Sequence, residues 1–202
     1  MSSFDVLLGK IKSRVARWIG VNSCSDNRAG RFVVVIECIL NQNARDRGAA
    51  RFPAMNGEVV GLCQKYQVGM LQMPCPEVAA LGASRQRKPG QSLREAMDTV
   101  HGRACCRRIA ADVADRVEVQ LAGGNTLLAV LGGNHQSPGC AVHNGETIPS
   151  PDSGLLIQAL QSEFGARGLN VPFRGIRDND PLTLADDLAW LQGVFAQTVA
   201  DR

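Results

Sequence analysis

The chain has 202 residues, 45% hydrophobic and 20% charged, which fits one soluble domain with a real core, with or without an appendage. A formal net charge of +3 is too small to mark a polyanion partner, so nucleic acid is not expected, although the charge would not repel it. No apolar run approaches bilayer length, and Met1-Ser2-Ser3-Phe4 lacks the charged start and apolar stretch of a secretory signal; a cytoplasmic protein with no membrane partner is expected.

Residues 4–19 have helical spacing, with Phe4, Leu7, Leu8, Ile11, Val15 and Trp18 on one face. Asn22 to Gly30 is polar and turn-rich and reads as a linker, with Cys24 in it as a bystander. Residues 1–30 are therefore an amphipathic helix and linker, and 31–202 the main domain. Phe32-Val33-Val34-Val35-Ile36 is nearly all β-branched, as in a strand buried on both faces, and leads into Cys38. The polar loop from Asn41 to Gly48 follows. Residues 57–66 read as a helix with Val59, Val60, Leu62, Cys63 and Tyr66 as core candidates. The second strand, Val68 to Met73, stops at Pro74-Cys75-Pro76, where two prolines stiffen the loop that carries Cys75 and Glu77. Ala83 to Gly90 is basic and turn-like. Residues 92–101 and 103–121 read as helices; Cys105 and Cys106, adjacent on the second, point about 100° apart and do not easily share a ligand.

The third strand, Thr126 to Leu131, runs through a glycine-rich loop to Cys140. Asn144 to Asp152 reads as loop and 153–165 as a helix. Leu169 to Phe173 is a candidate edge strand, where a proline is tolerated. Asp180-Pro181 opens a last helix. Strands alternating with helices predict an α/β fold, a doubly wound, mostly parallel sheet with flanking helices.

Seven cysteines in a reducing compartment do not imply a disulfide framework. Three of them, Cys38, Cys75 and Cys140, follow strands, and parallel strands put their carboxyl ends on the edge where such sheets bind ligands. Thiolates there suit zinc, copper(I) or an iron–sulfur cluster. Spacing alone leaves a second reading open, that they are small buried residues.

The motifs Cys38-Ile39-Leu40-Asn41, Gln72-Met73-Pro74-Cys75-Pro76-Glu77 and Ser137-Pro138-Gly139-Cys140 together resemble the 2-thiouracil desulfurase family and its desulfidase relatives. The resemblance runs from about Phe32 to Phe173. Gly139 replaces the family's usual serine, and Ala141 stands where glycine is common. The resemblance implies a [4Fe-4S] cluster held by Cys38, Cys75 and Cys140, with one iron not ligated by protein. It implies catalysis by Glu77, with Ser137 beside it, and removal of sulfur from a thiolated small molecule such as a thiopyrimidine base or nucleotide. C=S becomes C=O, hydrosulfide is released, and no net redox change is needed. Asn41, Asn43, Arg45, Arg85 and His135 lie near the motifs and are candidate substrate contacts; each is also readable as an ordinary surface or turn residue. Arg87 and Lys88 join Arg85 as candidate phosphate contacts or plain surface charge.

Two other functions compete. One is an iron–sulfur sulfurtransferase running toward thiolation, against which the lack of a GxxxxGK[ST] loop counts. The other is a non-enzymatic metal-binding or redox-sensing module, in which Glu77 is dispensable. The sequence carries no signal for oligomeric state.

Overall fold

The structure is a computed structural model that describes residues 26–143 and 150–200, with side chains described through residue 197. The helix predicted over 4–19 and Cys24 lie outside these residues. Four parallel strands form the sheet: β1 (Arg31–Ile36), β2 (Gly69–Met73), β3 (Thr126–Gly132) and β4 (Phe173–Gly175), in the order β2-β1-β3-β4. The fold is α/β, as expected. The chain steps from β1 to β2 on one side and then places β3 on the other side. The order therefore reverses between β1 and β3, and a crevice opens at their carboxyl ends.

Residues Val33 to Ile36 of β1 are buried on both faces, which is why that run carries no polar alternation. The helices that cover the sheet fall into two groups. α2 (Gly57–Lys65) packs with α7 (Pro181–Ala200). α3 (Pro76–Leu81), α4 (Leu93–Met97), α5 (Val100–Ala122) and α6 (Leu155–Ala166) pack together around α5. Since β1 is hidden on both faces, one group covers each. A short turn of helix, α1 (Glu37–Leu40), follows β1 directly. Among the described residues, no helix is long and apolar enough to cross a membrane.

The sequence placed one helix break at Gly102; it falls instead at Asp98-Thr99. The Thr99 side chain accepts a hydrogen bond from the Gly102 amide and so starts α5, while Asp98 closes α4. Asp180 caps α7 as expected, accepting from the amides of Leu182 and Thr183. The edge strand differs more. Pairing begins with Val130 N–H donating to Pro172 O at 2.9 Å and runs on through Phe173–Gly175, downstream of the Leu169–Phe173 stretch.

Cys63 and Cys106 lie in the core, and burial pushes each thiol from an ordinary 9.0 up to about 11. Each therefore holds its proton more tightly folded than unfolded. Their contribution is complete below about pH 9 and is lost as pH rises toward 11. The limiting slope is about 1.4 kcal/mol per pH unit for each thiol. Urea unfolding of the reduced, metal-free protein is expected to show this alkaline fall, and Cys63→Ala with Cys106→Ala should make it shallower. An equal slope in wild type and double variant would refute the assignment.

Candidate functional site

A cavity of about 250 Å³ opens at the β1/β3 crevice. Its wall includes Cys38, Cys75 and Cys140, together with Glu77, Ser137, Arg45 and Arg85. Each cysteine arrives on a different connection. Cys38 sits in α1, just beyond β1; Cys75 is the N-cap of α3, just beyond β2; Cys140 ends the loop after β3.

Short-range chemistry fixes each connection. The buried Gln42 side chain donates from Nε2 to Cys38 O at 2.6 Å. Its Oε1 accepts from the amides of Arg51 and Phe52, which ties the loop after α1 back onto the Cys38 turn. The Cys75 amide donates to Glu37 Oε2 at 2.7 Å, so the residue before Cys38 holds the backbone of Cys75. The Cys140 loop is closed by Gly133 N–H donating to Cys140 O at 2.7 Å. The first turn of α6 also grips it, with Leu155 and Leu156 amides donating to Pro138 O and Gly139 O at 3.0 and 2.9 Å. A Cβ on Gly133 would lie 2.7 Å from Cys140 Sγ, so only glycine leaves room for that sulfur. A Cβ on Gly139 would lie 2.6 Å from Pro76 Cγ. Gly139 thus lies where the Cys140 loop packs closely on the Cys75 loop.

Ser137 joins two of the motifs. Its Oγ donates to Glu77 Oε1 at 3.0 Å, lies 3.1 Å from Cys140 Sγ, and accepts the Cys140 amide at 3.2 Å. The carboxylate of Glu77 is largely buried, and Arg85 Nε stands 3.5 Å from its Oε2. Burial raises all three site thiols. Cys38 is pushed up to about 11 by burial, with Arg45 opposing. Cys75 is raised by burial, against the Val78 amide and the Arg85 guanidinium. Cys140 is raised most, by burial and then by Cys38 and Glu77. These mutual effects mean that the three thiols lie within electrostatic range of one another.

The candidate substrate contacts divide. Arg45 and Arg85 line the cavity but are held by protein. Arg45 is paired with the fully buried carboxylate of Asp178 at 2.6 Å and donates to Ala49 O at 3.0 Å. Arg85 donates to Ala44 O at 2.5 Å, to Ala83 O at 3.0 Å, and toward Cys75 Sγ at 3.6 Å. Arg87 pairs loosely with Asp46 on the surface. Asn41 caps the 3₁₀ turn Gln42–Ala44, accepting from both the amide and side chain of Asn43. His135 stacks on His143 with ring centroids 4.6 Å apart. Neither Asn41, Asn43 nor His135 belongs to the cavity wall. Sequence reasoning missed Asn134, Gln136 and Asn179 on that wall, and Asp178 behind it, where it accepts from Arg45, Asn134 and Asn56.

Among the described residues, no group of three or more His, Cys, Asp and Glu side chains is arranged to hold a single metal ion. The donor chemistry suits a larger soft group better. Three cysteines on separate connections face one cavity, and Arg85 Nε is buried there without a hydrogen-bond acceptor. All six described cysteines are free.

No family model and no solved structure matches the chain. The chain is similar to an uncharacterized protein of Methanocaldococcus jannaschii, 35% identical over 79 residues. That stretch is 39% of this chain and 48% of that protein, so the chain spans about half the length of the curated relative it matches.

Proposed function

We propose that the protein is an iron–sulfur-dependent desulfidase of the cytoplasm, acting on a thiolated small molecule. The observation that carries this reading is the convergence of Cys38, Cys75, Cys140, Glu77 and Ser137 on one cavity from three separate strand ends. Cys38, Cys75 and Cys140 are the residues that would hold a [4Fe-4S] cluster, leaving one iron without a protein ligand. When bound, that group supplies a soft Lewis acid for a thiocarbonyl sulfur.

The chain's own residues do the rest. Glu77 is the general base: its carboxylate takes a proton from the water that adds to the thiocarbonyl carbon. Ser137, donating to Glu77 Oε1, fixes the carboxylate's orientation so that Oε2 stays directed toward Arg85 and the cavity. The Arg85 guanidinium, 3.5 Å from Oε2, is the counter-charge to that carboxylate. Oxygen from water replaces sulfur on carbon, and sulfur leaves as hydrosulfide with no electron transferred.

The test is anaerobic reconstitution with iron and sulfide. Wild type is expected to turn brown and to hold about four irons per chain, the cubane stoichiometry. Cys75→Ala is expected to lose most of that iron. Sulfide should then be released from a thiopyrimidine. Net sulfide consumption would favour the thiolation direction instead. A colourless protein that binds zinc would refute the reading in favour of a metal-binding module.

A further inference from the structure

Two of the three site thiols, Cys38 and Cys75, share the cavity wall with a buried guanidinium. Arg45 lines the same cavity wall as Cys38, and its positive charge opposes the burial that raises that thiol. Arg85 Nη2 stands 3.6 Å from Cys75 Sγ. Ser137 Oγ stands 3.1 Å from Cys140 Sγ. Both guanidiniums are buried, with side-chain exposures of 10% for Arg45 and 2% for Arg85. Burying such a charge is costly unless it is paired and hydrogen-bonded.

The pairing is unusual in its aim. Arg45 is matched by Asp178 and Arg85 by Glu77, so the four groups sum to no net charge. Any charge on the Cys38 and Cys75 sulfurs is then met at close range by the two guanidiniums. Both arginines are also locked in place. Arg45 is held by Ala49 O and Asp178, and Arg85 by Ala44 O and Ala83 O. The Arg85 backbone takes φ of +47°, a left-handed conformation that is costly for a residue with a side chain. Loop closure alone needs only the carbonyl contacts. It does not account for strain and buried charge directed at sulfur.

We infer that Arg45 and Arg85 are positioning residues: Arg85 gives a charge-assisted N–H···S bond to Cys75, and Arg45 sets a fixed positive charge beside Cys38. These two interactions set the reduction potential and the lability of the group those cysteines hold. This rests on the cluster reading above. Hydrogen bonds to ligand sulfurs and nearby positive charge favour the more negative state of a thiolate-bound cluster. Without them the sulfurs are more basic, and the cluster is harder to reduce and easier to lose.

The experiment compares anaerobically reconstituted wild type with Arg45→Gln, Arg85→Gln, the double variant, Arg45→Lys and Arg85→Lys. Two quantities are read: the midpoint potential, from a dye-mediated titration followed by electron paramagnetic resonance, and the rate of iron release to a chelator. Each glutamine variant is expected to shift the potential negative, and the double variant further. Iron release is expected to rise about 10- to 100-fold, the usual penalty for losing a partner of a metal ligand. Each lysine variant keeps a charged donor and should recover part of the shift. If Arg85→Gln does not fold, Arg85→Lys and Arg45→Gln carry the comparison. A wild type that takes up its cluster, with variants at the same potential and release rate, would overturn this inference and leave the cluster standing. A wild type that takes up no cluster overturns both.

Discussion

Glu77→Gln is expected to take up iron as the wild type does and to release sulfide about 100- to 10,000-fold more slowly, the usual worth of a positioned general base. The substitution is close to isosteric. A glutamine Oε1 still accepts from Ser137 Oγ, so the link between the Cys75 and Cys140 connections is kept. What disappears is the basic carboxylate and its ion pair with Arg85. A residue that only braced the loop would leave turnover largely intact in this variant. Glu77→Ala loses both the base and the brace, so the two variants together separate chemistry from architecture. Iron content and thermal stability measured beside sulfide release make the split readable. Undiminished release from Glu77→Gln would refute the assignment of Glu77 as the base, whatever the cluster does.

The features that were plain in the sequence share one physical cause: they are local. The apolar run Phe32 to Ile36 needs no partner to be recognised, because a strand covered on both faces has no reason to alternate. The three cysteines and Glu77 could be placed at one edge because parallel strands fix where their ends lie. The edge strand was misplaced because Leu169 and Val171 are apolar for another reason. They pack against the core as the chain approaches the sheet, while pairing waits for Pro172 to offer its carbonyl. From its polar neighbours, Ser84 to Lys88, Arg85 reads as either a substrate contact or a surface cation. Its burial depends on the carbonyl of Ala44, 41 positions away. Asn41 and Asn43 were judged by nearness to Cys38 in sequence, but the turn directs them to one another. Gly139 was a mere departure from a motif until the packing of Pro76 against it gave a steric reason. Asp178 had no signal at all. It lies in a short acidic loop, and its partner Arg45 is 133 positions away.

Asp178→Ala is expected to be the most destabilising single change near the cavity. The carboxylate is fully buried and serves three donors on two connections: Arg45 Nη2 at 2.6 Å and Asn56 Nδ2 at 3.4 Å after β1, and Asn134 Nδ2 at 3.0 Å after β3. It therefore ties the connection after β4 to those after β1 and β3. Removing it leaves the Arg45 guanidinium largely buried without its counter-charge, a loss of about 3–5 kcal/mol. For a chain of this size that lowers the melting temperature by roughly 6–20 °C. The double variant Asp178→Ala with Arg45→Met should regain much of the loss, since replacing both members of a buried pair is often nearly neutral. Arg45→Met alone should be costly, because it strands the carboxylate instead. Asp178→Asn should fall between, keeping an acceptor for Asn134 while surrendering the charge. Thermal or urea unfolding of the metal-free, reduced protein measures all four. A single-variant cost below about 1 kcal/mol, the range of exposed pairs, would mean that the pair is solvated and that the connection after β4 is held by other contacts.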